Sequence, residues 1–388
     1  MLSCLLTLSL LPLLFSSEIL VSWVSLDFAW DSSAQKTLFL KTGRYIPENC
    51  ALAGLKLYKN DIYVTVPRWL RGVPSTLNKL SPNNHSILMP FPSWDLQDPS
   101  NPNGFKYIQS MEIDSKGRMW IIDVGRLNIV DDPQSVINGP AKISVLDLET
   151  QEIVKSLELS NEIAPYNASF LNDIVLDEER GFAYISDTSA AVIIYDFNRN
   201  VARRWASDTM KNEPEVNFTI DGVSYGNKVF TTAVDGIALT RDGNHLFYCA
   251  LQGLHLYTIK TELLRDFTID DDILESNVRN LGVKKAPSDG MTVGRHDDML
   301  YFGGLTTDAL YRWDIREEFN QENQKIVEEN SENLHWVDTF SWGEDGHLVM
   351  TSNKLDLFFT KKMDFTGENG ENFRIVKVKV GKGKNEIK

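Results

Sequence analysis

Three aspartates recur at one position of a repeated sequence pattern. They occur in the segments VDGIALT, SDGMTVG and VDTFSWG, as Asp235, Asp289 and Asp338. When the repeats are aligned on their polar turns, the same position in the other three copies holds Ala53, Gln109 and Asn172. Five of the six positions are therefore polar, and three are acidic.

Oxygen ligands gathered in one place have several chemical uses. Asp, Asn and Gln side chains suit Ca²⁺ or another hard cation, and they suit an organic ammonium group when aromatic rings lie nearby. Carboxylates that repel each other have raised pKa values unless a cation compensates, which fits them for general acid–base catalysis. The aromatic residues available to such a site are Tyr107, Phe170, Phe230 and Phe340.

We therefore take Asp235, Asp289 and Asp338 as candidate catalytic residues. An architectural role is the alternative, because an Asp or Asn at the start of a strand also accepts backbone N–H groups. The chain has no GxSxG, HExxH, P-loop or GxGxxG motif followed by a helix, and its six histidines show no metal-ligand spacing. No cofactor is required by these patterns, although Ca²⁺ or another hard cation fits the acidic position.

The charge balance favours some partners over others. The 388 residues carry a net charge of −15, which repels the phosphates of nucleic acids and anionic membrane surfaces. Cationic partners, such as amines or metal ions, fit the negative charge better. A need for solubility alone would also explain this charge.

The cysteines do not form a disulfide framework. Beyond residue 4, the only cysteines are Cys50 and Cys249, and we expect the fold to keep them apart.

The N-terminal segment predicts secretion. MLSCLLTLSLLPLLFSS carries no charge before Glu18, so we assign residues 1–25, approximately, to a signal peptide and expect no membrane association after cleavage. A retained membrane anchor is the alternative. Three N-x-Ser/Thr sequons point to an extracellular glycoprotein, with the acceptors Asn84, Asn167 and Asn217.

The elements that position the acids are short paired strands. Six segments read as strand, polar turn and strand, at 55–67, 111–125, 174–188, 237–251, 291–305 and 340–353. Third strands follow four of them, at 142–149, 192–198, 254–260 and 309–315. A period of about 50–60 residues made of several strands is typical of a propeller blade.

We therefore predict an all-β protein, a single six-bladed β-propeller over residues 26–388. The acidic position begins the first strand of each blade, so the six residues should ring one mouth of the central channel. Residues 26–30 should pair with the last blade and close the ring. Three longer inserts should form loops over one face, at 126–140, 199–231 and 316–334.

Several motifs resemble the Yellow/major royal jelly protein family of insects. The most specific is VPRWLRGVPSTLNKL (66–80), which is similar to the family's Pro-Arg-Trp and Gly-Val-Pro-x-Thr-Leu signature. The segment TGRYIPEN (42–49) looks most like the eggshell-linked members. Other matching segments are GRMWIIDVG (117–125), NDIVLD (172–177), AYISDT (183–188), VIIYDF (192–197), FTIDGVSY (218–225) and TSNKL (351–355).

The resemblance implies a secreted six-bladed propeller, and it leaves the activity open. Some members are described as dopachrome-converting enzymes, others act in pigmentation or hardening of cuticle or eggshell, and salivary relatives bind biogenic amines in the channel. Those amine binders use a Thr, an Asn and a Phe where this chain has Asp338, Asn353 and Leu355, so only the Asn is kept. Together with residues at the recurring position of the blades, these matches give the candidate ligand-binding residues Gln109, Asn172, Asp338, Asn353 and Leu355.

The sequence leaves three hypotheses for function open. The first is a secreted protein of catecholamine-linked or melanin-linked pigmentation or hardening, with dopachrome tautomerase activity if it is an enzyme. The second is a non-enzymatic binder of amines or catechols in the channel. The third is a structural protein of the extracellular matrix, in which the acidic ring is architectural.

Overall fold

Six antiparallel sheets follow one another around a central axis. The computed structural model describes residues 17–130, 136–137, 139–225 and 232–380. In the described chain, the first strand of each sheet contacts the first strand of the next, and the sixth contacts the first. This closed circle of inner strands confirms the predicted six-bladed β-propeller.

Blades 1 to 3 come from the N-terminal half of the chain. Blade 1 contains Leu55–Tyr58, Asp61–Thr65, Leu77–Leu80 and Ile87–Pro90, with Asp27–Phe28 added in parallel at its outer edge. Blade 2 contains Ile108–Ile113, Arg118–Asp123, Lys142–Asp147 and Ile153–Glu158. Blade 3 contains Leu171–Asp177, Phe182–Asp187, Ala191–Asp196 and Val201–Ala206.

Blades 4 to 6 complete the circle. Blade 4 contains Val234–Leu239, His245–Ala250, His255–Lys260 and Arg279–Val283. Blade 5 contains Met291–Val293, Met299–Gly304, Ala309–Asp314 and Lys325–Glu329. Blade 6 contains Trp336–Trp342, Leu348–Asn353, Phe373–Val378 and, from the N-terminus, Glu18–Trp23. The six predicted hairpins and the four predicted third strands are all present.

Helices are short and lie between blades or strands. They span Ser33–Thr42, Thr261–Arg265, Asp271–Ser276 and Leu355–Phe359, and single 3₁₀ turns span Pro47–Asn49, Asp95–Gln97 and Asp208–Met210. The longest is capped at its N-terminus by Ser32, whose hydroxyl accepts the Gln35 N–H, and at its C-terminus by Gly43 in the left-handed region (φ 69°). Two small hairpins add Arg126–Leu127 with Val136–Ile137, and Thr219–Ile220 with Val223–Ser224.

The strand that closes the ring is not the predicted one. Glu18–Trp23 pairs with Phe373–Val378 of blade 6, whereas the 26–30 stretch supplies the short edge strand of blade 1. Trp23 is buried, and its indole N–H donates to the Ser86 carbonyl at 2.8 Å, so the strand also ties blade 6 to blade 1. The propeller therefore already includes Glu18 and extends further toward the N-terminus than residue 26. Residues 1–16 lie outside the described residues.

Two of the predicted face loops contain fourth strands. Val201–Ala206 lies inside the 199–231 insert, and Lys325–Glu329 lies inside the 316–334 insert. Both strands form outer edges of blades and are partly exposed, with sequences VARRWA and KIVEE. Their charged residues conceal the strand pattern, because an outer edge needs few apolar side chains. The third insert, 126–140, carries the Arg126–Leu127 hairpin, and part of it lies outside the described residues.

The structure also shows the state of the two cysteines, the exposure of the three sequon asparagines and the lengths of the helices. The thiols of Cys50 and Cys249 are buried and unpaired, in agreement with the expected separation. Asn84, Asn167 and Asn217 are all exposed, as an acceptor of a glycan must be. Within the described part of the chain, every helix is too short or too polar to cross a bilayer.

Candidate ligand site at the channel mouth

Five of the six aligned positions meet at one cavity. Gln109, Asn172, Asp235, Asp289 and Asp338 line a space of about 390 Å³ at one mouth of the channel, and each is between 5% and 9% exposed. The sixth position, Ala53, is buried and does not line it. The rest of the wall is largely apolar, formed by Trp69, Val130, Phe170, Thr232, Leu251, Trp336, Leu355 and Phe359.

Backbone bulges aim these side chains at the channel. The pairing of the inner strand with its neighbour breaks between Ile108 and Met111, between Leu171 and Ile174, between Val234 and Ile237, and between Val337 and Phe340. Gln109, Asn172, Asp235 and Asp338 all lie inside these breaks. A bulge leaves an extra residue outside the ladder and redirects its side chain. In these four blades, the aligned sequence position is thus a bulge.

Glycines next to the ring let the inner strands approach each other. A Cβ on Gly236 would lie 2.1 Å from the Asp289 carbonyl oxygen, and a Cβ on Gly290 would lie 1.9 Å from the Asp338 carbonyl oxygen. No side chain fits at these distances, so only glycine allows the ring backbones to sit this close. The Asp-Gly pairs in VDGIALT and SDGMTVG therefore allow the inner strands of blades 4, 5 and 6 to approach closely.

Hydrogen bonds link neighbouring blades at the ring. The Asn172 amide donates to Asp235 Oδ1, and the Trp336 indole N–H donates to Asp289 Oδ2 at 2.7 Å. The first bond joins blades 3 and 4, and the second joins blades 5 and 6. Each of these two carboxyl groups is therefore held by a donor from an adjacent blade.

Asp338 is held by a separate set of donors. Its carboxylate accepts from the Thr339 hydroxyl at 2.9 Å and from the Asn353 amide at 3.3 Å, and Asn353 also donates to the Leu52 carbonyl at 3.0 Å. Asn353 is 1% exposed and does not line the cavity, so it positions Asp338. Its Oδ1 is buried and has no hydrogen-bond partner among the described residues. Leu355 lines the cavity directly.

The ring acids strongly favour their neutral forms. Burial raises the pKa of Asp235, Asp289 and Asp338 well above the usual value, and the neighbouring carboxylates raise it further. Mutual repulsion was the predicted cause, but loss of water is the larger one. Both effects favour the neutral carboxyl groups, whereas a bound cation would favour the charged ones.

A second group of acidic residues lies further along the channel. Asp173 follows Asn172 in the same bulge, and burial raises its pKa to about 6 despite the opposing charge of Lys56. It belongs to a smaller, more polar cavity at the other end of the channel, of about 210 Å³, with Lys56, Glu112 and Arg295. Lys56 and Glu112 form an ion pair at 2.7 Å. The channel thus contains two tiers of acids.

The predicted aromatic residues are divided by the fold. Phe170 lines the mouth cavity, and Tyr107 lies behind it, where its hydroxyl donates to Gln109 Oε1 at 3.0 Å. Phe340 lines the opposite cavity and so does not face the ring. Phe230 lies outside the described residues.

Sequence reasoning missed the aromatic residue with the closest contact to the ring. Trp336 lies two residues before Asp338, as Tyr107 and Phe170 lie two residues before Gln109 and Asn172. That shared offset was a usable signal. Trp69 and Phe359 were missed because distant segments bring them together, with ring centroids 5.2 Å apart.

A known protein family accounts for most of the chain. The family model described as Major royal jelly protein matches residues 108–387. The chain belongs to the major royal jelly protein family. This confirms the resemblance carried by the Pro-Arg-Trp segment and the blade motifs.

Curated relatives of this major royal jelly family protein include proteins named yellow. It is 25% identical over 373 residues to Protein yellow of Drosophila subobscura, a match that covers 91% of this chain and 64% of that one. For Protein yellow of Drosophila melanogaster the identity is 24% over 371 residues, covering 91% and 67%. The chain thus matches about two thirds of the length of these relatives.

A solved structure supports the architecture alone. A luciferin-regenerating enzyme superposes with a TM-score of 0.50 at 13% identity, covering 87% of this chain and 94% of that one. At such low sequence identity, the similarity is evidence for a shared fold only.

Proposed function

We propose that this family member is a secreted protein of catecholamine-linked pigmentation or hardening, in cuticle or eggshell, whose ligand binds at the channel mouth. Three buried acids at the end of a cavity with aromatic and aliphatic walls carry this proposal. Its volume falls within the range of about 300–1,000 Å³ usual for small-molecule pockets. A catechol ring fits the apolar wall, and its amine or hydroxyl groups fit the acids.

The raised pKa values of the ring acids support acid–base chemistry on such a ligand. Conversion of dopachrome is an isomerisation, in which a C–H bond breaks, an O–H bond forms and no oxidant is consumed. It needs one group that accepts a proton and one that donates a proton. Asp235 and Asp289 line the same cavity, and burial and neighbouring carboxylates raise the pKa of both, which suits them to these two roles. Asp338 is the third candidate, because it faces the same cavity.

Loss of dopachrome in solution tests the catalytic form of the proposal. We expect the purified chain to turn over many equivalents, and Asp289→Asn to lower the rate at least tenfold. Asp208→Asn is the matched control, because Asp208 is 85% exposed and pairs with Lys211 at the surface. Equal rates for the wild type and Asp289→Asn, or no loss above background, would contradict catalysis at the ring.

Binding without turnover is the second candidate. The ring acids already accept hydrogen bonds from Asn172, Trp336, Thr339 and Asn353, which fixes them in one arrangement. A preformed ring of this kind suits stoichiometric capture of an amine or catechol. Saturable dopamine binding with no dopachrome loss would select this function. Absence of both activities would leave the role of a structural extracellular matrix protein.

A further inference from the structure

A histidine with three acids lies beside the mouth cavity. His335 directly precedes Trp336, and its side chain is 7% exposed. Its Nδ1 is 3.4 Å from Asp308 Oδ1 and 3.7 Å from Asp221 Oδ2. Ligand atoms of His335, Asp308 and Asp221, one from each residue, form a group in which all three atoms lie within 4.8 Å of one another. Among the described residues, the three ring acids do not form such a group.

The opposite ring nitrogen of His335 is anchored by a carboxylate. Nε2 lies 2.9 Å from Asp356 Oδ1, and the Tyr225 hydroxyl donates to Asp356 Oδ2 at 2.9 Å. A histidine that binds a metal commonly donates its other N–H to a carboxylate in this way, because that fixes the tautomer and the ring orientation. With the proton on Nε2, the lone pair of Nδ1 points toward two acids.

That arrangement is unfavourable unless a cation lies between the three groups. A lone pair and two carboxylates repel each other at these distances, and the burial of His335 strengthens its share of the repulsion. Asp308 Oδ1 is itself buried and has no hydrogen-bond partner among the described residues. The three atoms therefore provide one nitrogen and two oxygens for a single positive species.

We propose that His335, Asp308 and Asp221 bind one divalent transition-metal ion, Zn²⁺ or Mn²⁺, with Asp356 orienting the imidazole. A nitrogen ligand favours these ions over Ca²⁺, which prefers oxygen ligands alone. Asp221 lies in the turn between Thr219–Ile220 and Val223–Ser224, and Asp308 lies in the turn before Ala309–Asp314. The ion therefore links a surface hairpin to blades 5 and 6.

The site adjoins the ligand cavity without belonging to it. Phe218, at the base of the hairpin, packs against Trp336 with ring centroids 5.9 Å apart, and Trp336 lines the cavity. A bound ion would hold the hairpin against this wall. Metal binding itself does not depend on the proposed catechol function, so the two can be tested separately.

A proton is the competing occupant. Burial lowers the pKa of His335, but the carboxylates of Asp308 and Asp356 outweigh it and raise the pKa to about 9. A metal ion must displace this proton, so the test is run at pH 8, where the competition is weaker than at pH 7.

Calorimetric titration of the metal-stripped chain with ZnCl₂, and Mn²⁺ paramagnetic resonance, test the proposal. We expect one ion per chain in the wild type and at least tenfold weaker binding in Asp308→Asn and His335→Gln. His347→Gln is the matched control, because His347 Nδ1 lies 3.1 Å from a single carboxylate, that of Asp345, among the described residues. It should bind like the wild type, and so should the ring variant Asp289→Asn.

Two results would overturn the proposal. One is the absence of stoichiometric binding in the wild type, which would make the cluster an imidazolium held by acids. The other is unchanged affinity in Asp308→Asn and His335→Gln. If either variant fails to fold, as judged by circular dichroism without metal, Asp221→Asn replaces it, since the Asp221 side chain is 67% exposed.

Discussion

Asp289 is the residue at which the interactions of the ring converge. Its carboxyl group accepts the Trp336 indole N–H, its backbone carbonyl lies against Gly236, and burial and the nearby Asp235 carboxylate raise its pKa. The carboxyl group is therefore held by Trp336 while it faces the cavity. Replacement of this carboxyl group should affect ligand binding and pH dependence without removing the ring.

The raised pKa values of the ring acids predict how stability changes with pH. A carboxyl group whose folded pKa is above its unfolded value binds extra protons in the native state, so stability is lost as pH rises through the folded pKa. Asp289→Asn removes one such group, whose usual pKa is 3.8. We expect the melting temperature of the variant to fall less steeply than that of the wild type above pH 4.

Melting curves between pH 4 and pH 9 measure this difference. Asp208→Asn serves as the control and should follow the wild type, because Asp208 is exposed. Parallel curves for the wild type and Asp289→Asn would show that Asp289 ionises normally in the folded chain.

Trp336→Phe tests the indole hydrogen bond at the ring. The substitution keeps an aromatic wall but leaves Asp289 Oδ2 without this donor, which costs about 1–3 kcal/mol for a buried group. Trp342→Phe is the matched control, because that indole makes a longer bond, 3.3 Å, to the Thr292 hydroxyl. Chemical denaturation should show the larger loss in Trp336→Phe, and equal losses would deny Trp336 a special role.

Among the elements, the bulged inner strands make the site. The polar residue in each bulge leaves the ladder and turns toward the channel. In blades 4 and 5, the glycine after the ring position admits the neighbouring carbonyl. Backbone geometry, more than the acids themselves, therefore determines the spacing between charges.

Gly290→Ala tests this dependence on close backbone approach. The added Cβ would lie 1.9 Å from the Asp338 carbonyl, so blades 5 and 6 must separate. We expect a loss of stability of about 1–3 kcal/mol or more, typical of overpacking, measured by denaturant unfolding. Gly139→Ala should be near neutral, because a Cβ added there would have no described atom within 4 Å. A neutral Gly290→Ala would show that the ring has room to expand.

The sequence predicted the inner half of each blade better than the outer half. Inner hairpins carry apolar runs on both faces, as in IVLDEERGFAYISDT, and their polar turns locate them. Outer strands such as Lys325–Glu329 are exposed on one side and carry charges, so their pattern resembles a loop. The ring position followed from the repeat, whereas the bulge that creates it requires knowledge of the pairing.

Long-range contacts were the part of the site that no local pattern could provide. His335, Asp308 and Asp221 belong to three separate segments, and only the circular arrangement of blades brings them together. Trp69 and Phe359 meet for the same reason. The position of Trp336 differs, since it lies two positions before the ring residue of its blade, as the aromatic residues of blades 2 and 3 do.

In the molecule as a whole, closure depends on the two ends of the chain. Glu18–Trp23 completes the sheet that also contains Phe373–Val378, and Val21 and Trp23 are buried there. Without this strand the blade 6 sheet has an unpaired edge, and the contact between Trp23 and blade 1 is lost.

A chain that begins at residue 26 should therefore be less stable than one that begins at residue 17. Loss of the buried Val21 and Trp23 side chains alone would lower the free energy of unfolding by about 3–6 kcal/mol. Thermal unfolding of the two purified proteins compares them directly. Equal melting temperatures would mean that blade 6 is complete without its N-terminal strand.

Calorimetric titration with dopamine at neutral pH decides whether the acidic ring binds a ligand, with the wild type, Asp289→Asn and Asp208→Asn compared in buffers of different ionisation enthalpy. We expect saturable binding of one ligand per chain, proton release on binding, at least tenfold weaker affinity in Asp289→Asn and unchanged affinity in Asp208→Asn. A flat titration of the wild type, or equal affinity in all three proteins, would rule out a ligand site at the acidic ring.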